Sequence, residues 1–192
     1  MNFLGLADDE FIRGKVPMTK EEIRILTLVK ARIKPNAVVY DIGAGTGSLS
    51  IEAARLATSG MVYAIERNTD GIELIKRNAE KFSLDNITVI AAEAPEGLKD
   101  LPNPDTVLIG GSGNRLLEIL AVITPKLKTD CRLILNCITI QTLATLLDYL
   151  HTHEDDYNYD AIQVQISRLH KVSKYDMAAA INPIYIVTCI KK

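Results

Sequence analysis

The stretch Val38-Val39-Tyr40-Asp41-Ile42-Gly43-Ala44-Gly45-Thr46-Gly47-Ser48 constrains the fold of this chain more than any other. The apolar, β-branched run from Ala37 to Ile42 follows the breaker Pro35-Asn36, which predicts a central strand covered on both faces. Three glycines at alternate positions then let the backbone turn sharply and leave room for a ligand against it. Leu49, Ala53, Leu56 and Ala57 recur at helical spacing, so the loop opens a helix. Strand, glycine loop and helix in this order make a cofactor cradle, with Asp41, Gly43, Ala44, Gly45, Thr46 and Gly47 as its candidate residues.

Position 48 is serine, so the loop reads G-x-G-x-G and lacks the last glycine of the dinucleotide fingerprint. A second apolar run, Met61-Val62-Tyr63-Ala64-Ile65, ends in Glu66, roughly twenty residues beyond the loop, where an acid grips ribose hydroxyls. Such an acid suits NAD or S-adenosylmethionine. The glycine pattern favours the methyl donor, which has no pyrophosphate to seat on a helix N-terminus.

Apolar strand-like runs alternate with helical patterns, the signature of a parallel sheet with helices on both faces. A helix is expected from Thr19 to Ile33, with Thr19 and Glu22 as a capping box and Ile23, Leu26 and Val29 as its apolar stripe. Strands are expected at Ile87 to Ala91, Thr106 to Ile109 and Cys131 to Asn136. Helices carry Ile72, Ile75, Ala79 and Phe82, then Leu116, Leu117, Leu120 and Ile123, then Thr142 to Leu150. The polar stretch His151 to Asp160 reads as a flexible loop. Ile162, Val164 and Ile166 alternate with Gln163, Gln165 and Ser167, predicting a strand with one wetter face. Ile184 to Ile190 closes the pattern. The expectation is a class I methyltransferase fold: an α/β, Rossmann-like, seven-stranded sheet with its last strand antiparallel. Residues 1–192 read as one domain, an N-terminal segment and helix over 1–34 followed by the core over 35–192.

The 192 residues are 47% hydrophobic and 24% charged, as in a globular domain, and the net charge of −2 argues against a general nucleic-acid binder. Cys131, Cys137 and Cys189 are odd in number and embedded in apolar runs, which reads as reduced core thiols of a cytoplasmic protein and not as a metal site. The acidic start after Asn2-Phe3-Leu4 is unlike a signal peptide, and no run is long enough for a membrane span.

Ligands of open α/β sheets sit beyond the carboxyl ends of the strands. Strand ends therefore join the candidates: Glu93 and Ala94 after the third strand, and Gly110, Gly111, Ser112 and Gly113 after the fourth. Glu93 fits either a contact to an adenine amino group or loop backbone, or a plain helix entrance. The glycine turn leaves space for a large or flat substrate, and no Asn/Asp-Pro-Pro-Tyr motif stands there to clamp an exocyclic amine.

Several runs resemble one family. Asp8-Asp9-Glu10-Phe11-Ile12-Arg13 and Val16-Pro17-Met18-Thr19-Lys20-Glu21-Glu22-Ile23-Arg24 look like the opening of the decarboxylating precorrin C15-methyltransferases of cobalamin biosynthesis. The similarity continues through Asp41 to Gly47, Tyr63 to Asn68, Glu93 to Glu96, Ile109 to Gly113 and Asn182-Pro183. It implies methyl transfer from S-adenosylmethionine to C15 of precorrin-6B or its cobalt form, with loss of CO2 from the C12 acetate. It also implies a homotetramer, a separate C5-methylase as pathway partner, and Thr19, Gly43 to Gly47, Glu66 and Ala94 at the methyl donor. Two positions depart from the family: Lys128-Thr129-Asp130-Cys131 replaces a Lys-Pro-Gly-Gly turn, and Glu66 stands where aspartate is frequent.

A precorrin is a flat ring bearing many carboxylates, so a weakly acidic protein needs local cations to hold it. Arg13, Lys15, Lys20, Arg115, Arg168, Lys171 and Lys174 are the candidates; the alternative for each is solvated surface. His170 is either a proton donor or base for decarboxylation or a surface histidine, and the acid of that step has no assignment. Competing readings are an RNA methyltransferase on the same fold and a non-catalytic nucleotide-binding module.

Overall fold

The computed structural model describes residues 4–192; Met1, Asn2 and Phe3, where the reading of the N-terminus starts, lie outside them. The five apolar runs form parallel strands: β1 (Val38–Ile42), β2 (Met61–Glu66), β3 (Ile87–Ala91), β4 (Thr106–Ile109) and β5 (Arg132–Cys137). Then come β6 (Tyr157–Val164), β7 (Ser167–Val172), β8 (Tyr175–Ala180) and β9 (Ile184–Lys191). The main sheet has seven strands in the order β3-β2-β1-β4-β5-β9-β6, with β9 antiparallel to both neighbours. Strand order reverses between β1 and β4, whose ends meet at Ile42 and Ile109. The glycine loop leaves β1 at this switch point, where open sheets bind ligands.

Alternate residues of the central strands feed two cores. Val39, Leu108 and Ile134 pack with α1 (Glu21–Ala31) and α2 (Ser48–Leu56), whereas Tyr40, Ile42, Val107, Ile109, Leu133 and Leu135 pack with residues of α4 (Leu116–Ile123) and α5 (Ile140–Thr152). Between α2 and α4, α3 (Thr69–Lys81) follows β2. Each fully buried leucine or isoleucine contributes about 1.5–3 kcal/mol, and because both faces are covered these strands are apolar without alternation. The three cysteines are buried and unpaired, and burial pushes their thiols up, Cys137 to about 11 and Cys131 and Cys189 to about 12.

Three sequence expectations change. The first helix runs only from Glu21 to Ala31, and no Thr19 capping box forms: Lys20 occupies the cap position without a side-chain cap, and Arg24 takes the Thr19 carbonyl at 2.7 Å. Its buried stripe is Ile23, Arg24, Thr27, Leu28 and Ala31, while Val29 is exposed, because the paired Arg24 takes an inward position. The stretch from His151 to Asp160 is not a free loop. Helix α5 continues to Thr152, and β6 starts at Tyr157, which is buried with its hydroxyl 2.7 Å from that of Thr124. Finally, β7 and β8 form a separate two-stranded hairpin that the sequence pattern did not announce, turning at Ser173 and Lys174, with all strand residues exposed.

Candidate functional site: a glycine cradle under an N-terminal strap

The glycine loop is fixed by backbone and one carboxylate. The N–H groups of Gly43 and Ala44 both donate to the Ile65 carbonyl, at 3.0 and 3.1 Å. Glu66 accepts from Gly45 N and Asn68 N, each at 2.7 Å, so both of its oxygens already hold backbone. A carboxylate retains further lone pairs after two such bonds. Gly43 (φ +70°) has no room for a side chain, since a Cβ would sit 2.4 Å from the Gly111 carbonyl oxygen. The two glycine turns, after β1 and after β4, thus touch.

Asp41 lies beneath the loop, fully buried. Its Oδ2 accepts from the Ser50 hydroxyl, while Oδ1 has no partner among the described residues. Burial pushes its carboxyl up to about 6, against the pull of the Ser50 bond, and the negative charge of Glu66 adds to the rise. The buried Thr46 hydroxyl is likewise unpartnered. Unsatisfied polar atoms of this kind carry a desolvation penalty of about 1–3 kcal/mol each, which a polar ligand would relieve.

The N-terminal segment crosses above. Arg24, with no exposed surface, donates from Nε to Glu52 Oε1 at 2.6 Å and from Nη1 to Thr19 O and Asp8 Oδ1, and its Nη2 reaches the Leu6 carbonyl. Glu52, on α2, also accepts from Gly5 N and Leu6 N. Phe11 stacks below the guanidinium, 4.6 Å away. On the other side Asn78 of α3 pairs with both backbone groups of Ile12 and donates to the Thr46 carbonyl. The segment is thus strapped to α2 and to the glycine loop.

Under this strap lies a cavity of about 430 Å³. It brings together Thr19, Lys20, Asp41, Gly43, Ala44, Gly45 and Gly110 from the expected set, and adds Asn136, Ile138, Val164, Ile166, Ile181 and Asn182. Glu93, Ala94, Gly111, Ser112 and Gly113 line a second, smaller cleft of about 150 Å³ with Arg67, which is ion-paired to Glu93. Thr46 and Gly47 form the buried entrance of α2, Glu66 braces the loop, and neither cleft is lined by Glu66.

Of the expected cations Lys20 lines the main cavity, and the others stand outside both clefts. Arg115 is forked between Glu118 and Glu96, with its guanidinium stabilised by both and their carboxyls held below the usual range. Arg168 is bidentate on Glu22 at 2.7 Å, which lowers the Glu22 carboxyl. Lys171 (β7) and Lys174 (hairpin turn) are exposed and make no ion pair with the described residues; the Lys174 ammonium lies 5.3 Å from the Tyr175 ring. His170 sits on β7 outside both cavities. Sequence reading missed Arg24, Asn78 and Asn136. The first two carry one signal, a polar residue at a buried helical position, and Asn136 carries another, a polar end to an apolar strand.

Comparison with known proteins bears on this geometry. Residues 10–191 match the family described as precorrin methyltransferase domain. A curated relative from Sulfurisphaera tokodaii, named probable cobalt-precorrin-6B C(15)-methyltransferase (decarboxylating), is 43% identical over 190 residues, covering 97% of each chain. The crystal structure of precorrin-6y C5,15-methyltransferase from Geobacter metallireducens superposes with a TM-score of 0.91 at 41% identity, over 98% of this chain and 97% of that one. A SAM-dependent O-methyltransferase from Thermotoga maritima shares the fold alone, with 18% identity, a TM-score of 0.74 and coverage of 90% and 66%. The sheet order, the glycine cradle and the whole-length match agree, and the chain belongs to the precorrin methyltransferase family.

Proposed function

We propose that this enzyme transfers the methyl group of S-adenosylmethionine to C15 of precorrin-6B or cobalt-precorrin-6B and releases CO2 from the C12 acetate, a step of cobalamin biosynthesis. The observation that carries the reading is the strap: the N-terminal segment that sets this family apart lies directly over the glycine loop and closes one cavity with it.

The residues fit the methyl donor. Bare glycine backbone offers close approach, and the unpartnered Asp41 Oδ1 and Thr46 hydroxyl are a pair of buried acceptors and donors suited to an amino-acid tail. Burial pushes the Asp41 carboxyl up to about 6, and the donor's ammonium beside it would favour the ionised form. Glu66 retains lone pairs for ribose hydroxyls while bracing Gly45. Glu93, Ala94 and the Gly111 to Gly113 turn form a cleft suited to the adenine. When bound, the donor supplies an activated methyl group on a sulfonium. The protein's task is alignment, holding the acceptor carbon in line and excluding water, which the apolar walls Val164, Ile166, Ile181 and Ile184 do.

The exposed cations Lys171 and Lys174 remain available for ring carboxylates, whereas Arg115 and Arg168 would have to exchange an existing partner. The hairpin also exposes Leu169, Val172, Tyr175 and Met177, an apolar surface suited to the contacts of a homotetramer. A cytoplasmic location and a separate C5-methylase partner complete the reading. Among the described residues no helix is long and apolar enough to cross a membrane.

The test is incubation of the purified protein with precorrin-6B or cobalt-precorrin-6B and isotope-labelled S-adenosylmethionine, followed by mass spectrometry. The expected product has gained one labelled methyl group and lost CO2. A substrate recovered unchanged in both forms refutes the reaction.

A further inference from the structure

An exposed isoleucine, Ile138, stands at the mouth of the main cavity, and a second, Ile140, follows two residues on. Ile138, in the turn between β5 and α5, and Ile140, the first residue of α5, are 63% and 64% exposed, and neither belongs to a core cluster. Ile138 lines the main cavity and also a neighbouring cleft of about 220 Å³, bounded by Gly110 to Asn114, Leu135 to Thr139 and Thr142. Gly110 and Asn136 are shared by the two hollows as well, so these three residues form the ridge between them. The turn is held in shape by Thr139, which caps α5 by accepting from Thr142 N and pairs with the Thr142 hydroxyl at 2.8 Å. No charged residue occurs from Asn136 to Leu147.

Single exposed apolar side chains are ordinary; two of this size on a capped, uncharged rim beside a ligand cavity are not required by the fold. Size adds the decisive constraint. A cavity of about 430 Å³ is near the lower end of the roughly 300–1,000 Å³ that holds one drug-sized ligand. Part of the methyl donor must share that space, so a tetrapyrrole enters only with its reacting edge and rests the remainder on the rim.

We infer that Ile138 and Ile140 form an apolar platform for one face of the macrocycle, holding its methyl-accepting edge over Gly110 and Asn136. The inference rests on the proposed precorrin reaction and adds the residues that position the acceptor. The ring's carboxylates point outward from its plane's edge, away from a turn that offers them no cation, with Lys20 as the cation of the cavity wall. Asn136 supplies the polar contact of the ridge, its Oδ1 held by the Thr27 hydroxyl at 3.0 Å.

The experiment compares wild type with an Ile138→Ser/Ile140→Ser double variant and an Ile138→Leu/Ile140→Leu control. It measures KM for the macrocycle that wild type converts, and the dissociation constant of S-adenosylhomocysteine by calorimetry. Loss of two buried aliphatic contacts predicts a rise in KM of at least ~10-fold for the serine variant. S-adenosylhomocysteine binding and melting temperature stay at wild-type values, and the leucine variant keeps most of its affinity for the macrocycle. An unchanged KM in the serine variant overturns the platform, including the case in which subunit number changes because a second copy covers the isoleucines. A wild-type protein that yields no methylated product fails the reaction itself, an outcome distinct from failure of the platform.

Discussion

The glycine loop with α2 and the β7–β8 hairpin are opposites. Seven of the nine residues of α2 are buried, Ser48, Ser50 and Glu52 among them, and the loop's N–H groups bond to Ile65, Glu66 and Ala44. In the hairpin every strand residue is exposed, large apolar side chains included, and the main tie to the rest of the chain is the pairing of Arg168 with Glu22. The glycine-loop half is packed within its own chain, whereas the hairpin exposes large apolar side chains that its chain does not cover. The proposed donor site thus rests on the fixed region, and the proposed subunit contact on the exposed one.

The comparison breaks most forcefully at Arg24. Replacing it by alanine leaves Glu52 as a buried charge without its cation, a loss of about 3–5 kcal/mol in chemical unfolding at neutral pH. A loss below 1 kcal/mol would mean that the strap is not what anchors α2.

Asp41 sharpens it through pH. Its folded carboxyl titrates near 6, above the 3.8 of an unperturbed one, so the native state binds the extra proton and stability falls as pH rises from about 4 to about 6. Two pH units of displacement amount to about 3 kcal/mol. Asp41→Asn should flatten the unfolding free energy across that window and weaken S-adenosylmethionine binding above pH 6, both by calorimetry. A retained slope would place the titration elsewhere.

The smallest expected effect on chain stability is in the hairpin. Leu169→Lys with Met177→Lys changes the unfolding free energy by at most ~0.5 kcal/mol, as for surface positions, but lowers the molar mass seen by light scattering. An unaltered assembly removes the hairpin from the subunit contact.

How far the sequence foretold this follows from where each signal arises. β1, β2, β4 and the glycine turns are legible because buried parallel strands are continuously apolar and glycine marks the turns. The Arg24 stripe misleads because a charge sits inward only when Glu52 and the Leu6 carbonyl, distant in sequence, surround it together with the nearer Thr19 carbonyl. The hairpin carries no pattern facing a core, since it faces none in its own chain, and Tyr157 to Asp160 looks like loop because only Tyr157 turns inward. Of the cofactor candidates, Thr19, Asp41 and Gly43 to Gly45 line one cleft, Glu93 and Ala94 the other, and Thr46, Gly47 and Glu66 neither; the walls Val164, Ile166 and Ile181 come from the hairpin's roots, which no local pattern ties to the glycine loop.

The place of β9 bears on how the chain is made. It is the last strand in chain order, yet it lies between β5 and β6 and pairs with both along their length. During synthesis from the N-terminus, β5 and β6 emerge first and each waits with an open edge for a partner that has not been translated. Translation must therefore outrun mispairing at those two edges, and slowing the ribosome between codons 164 and 184 should raise aggregation of the newborn chain without changing the mature protein.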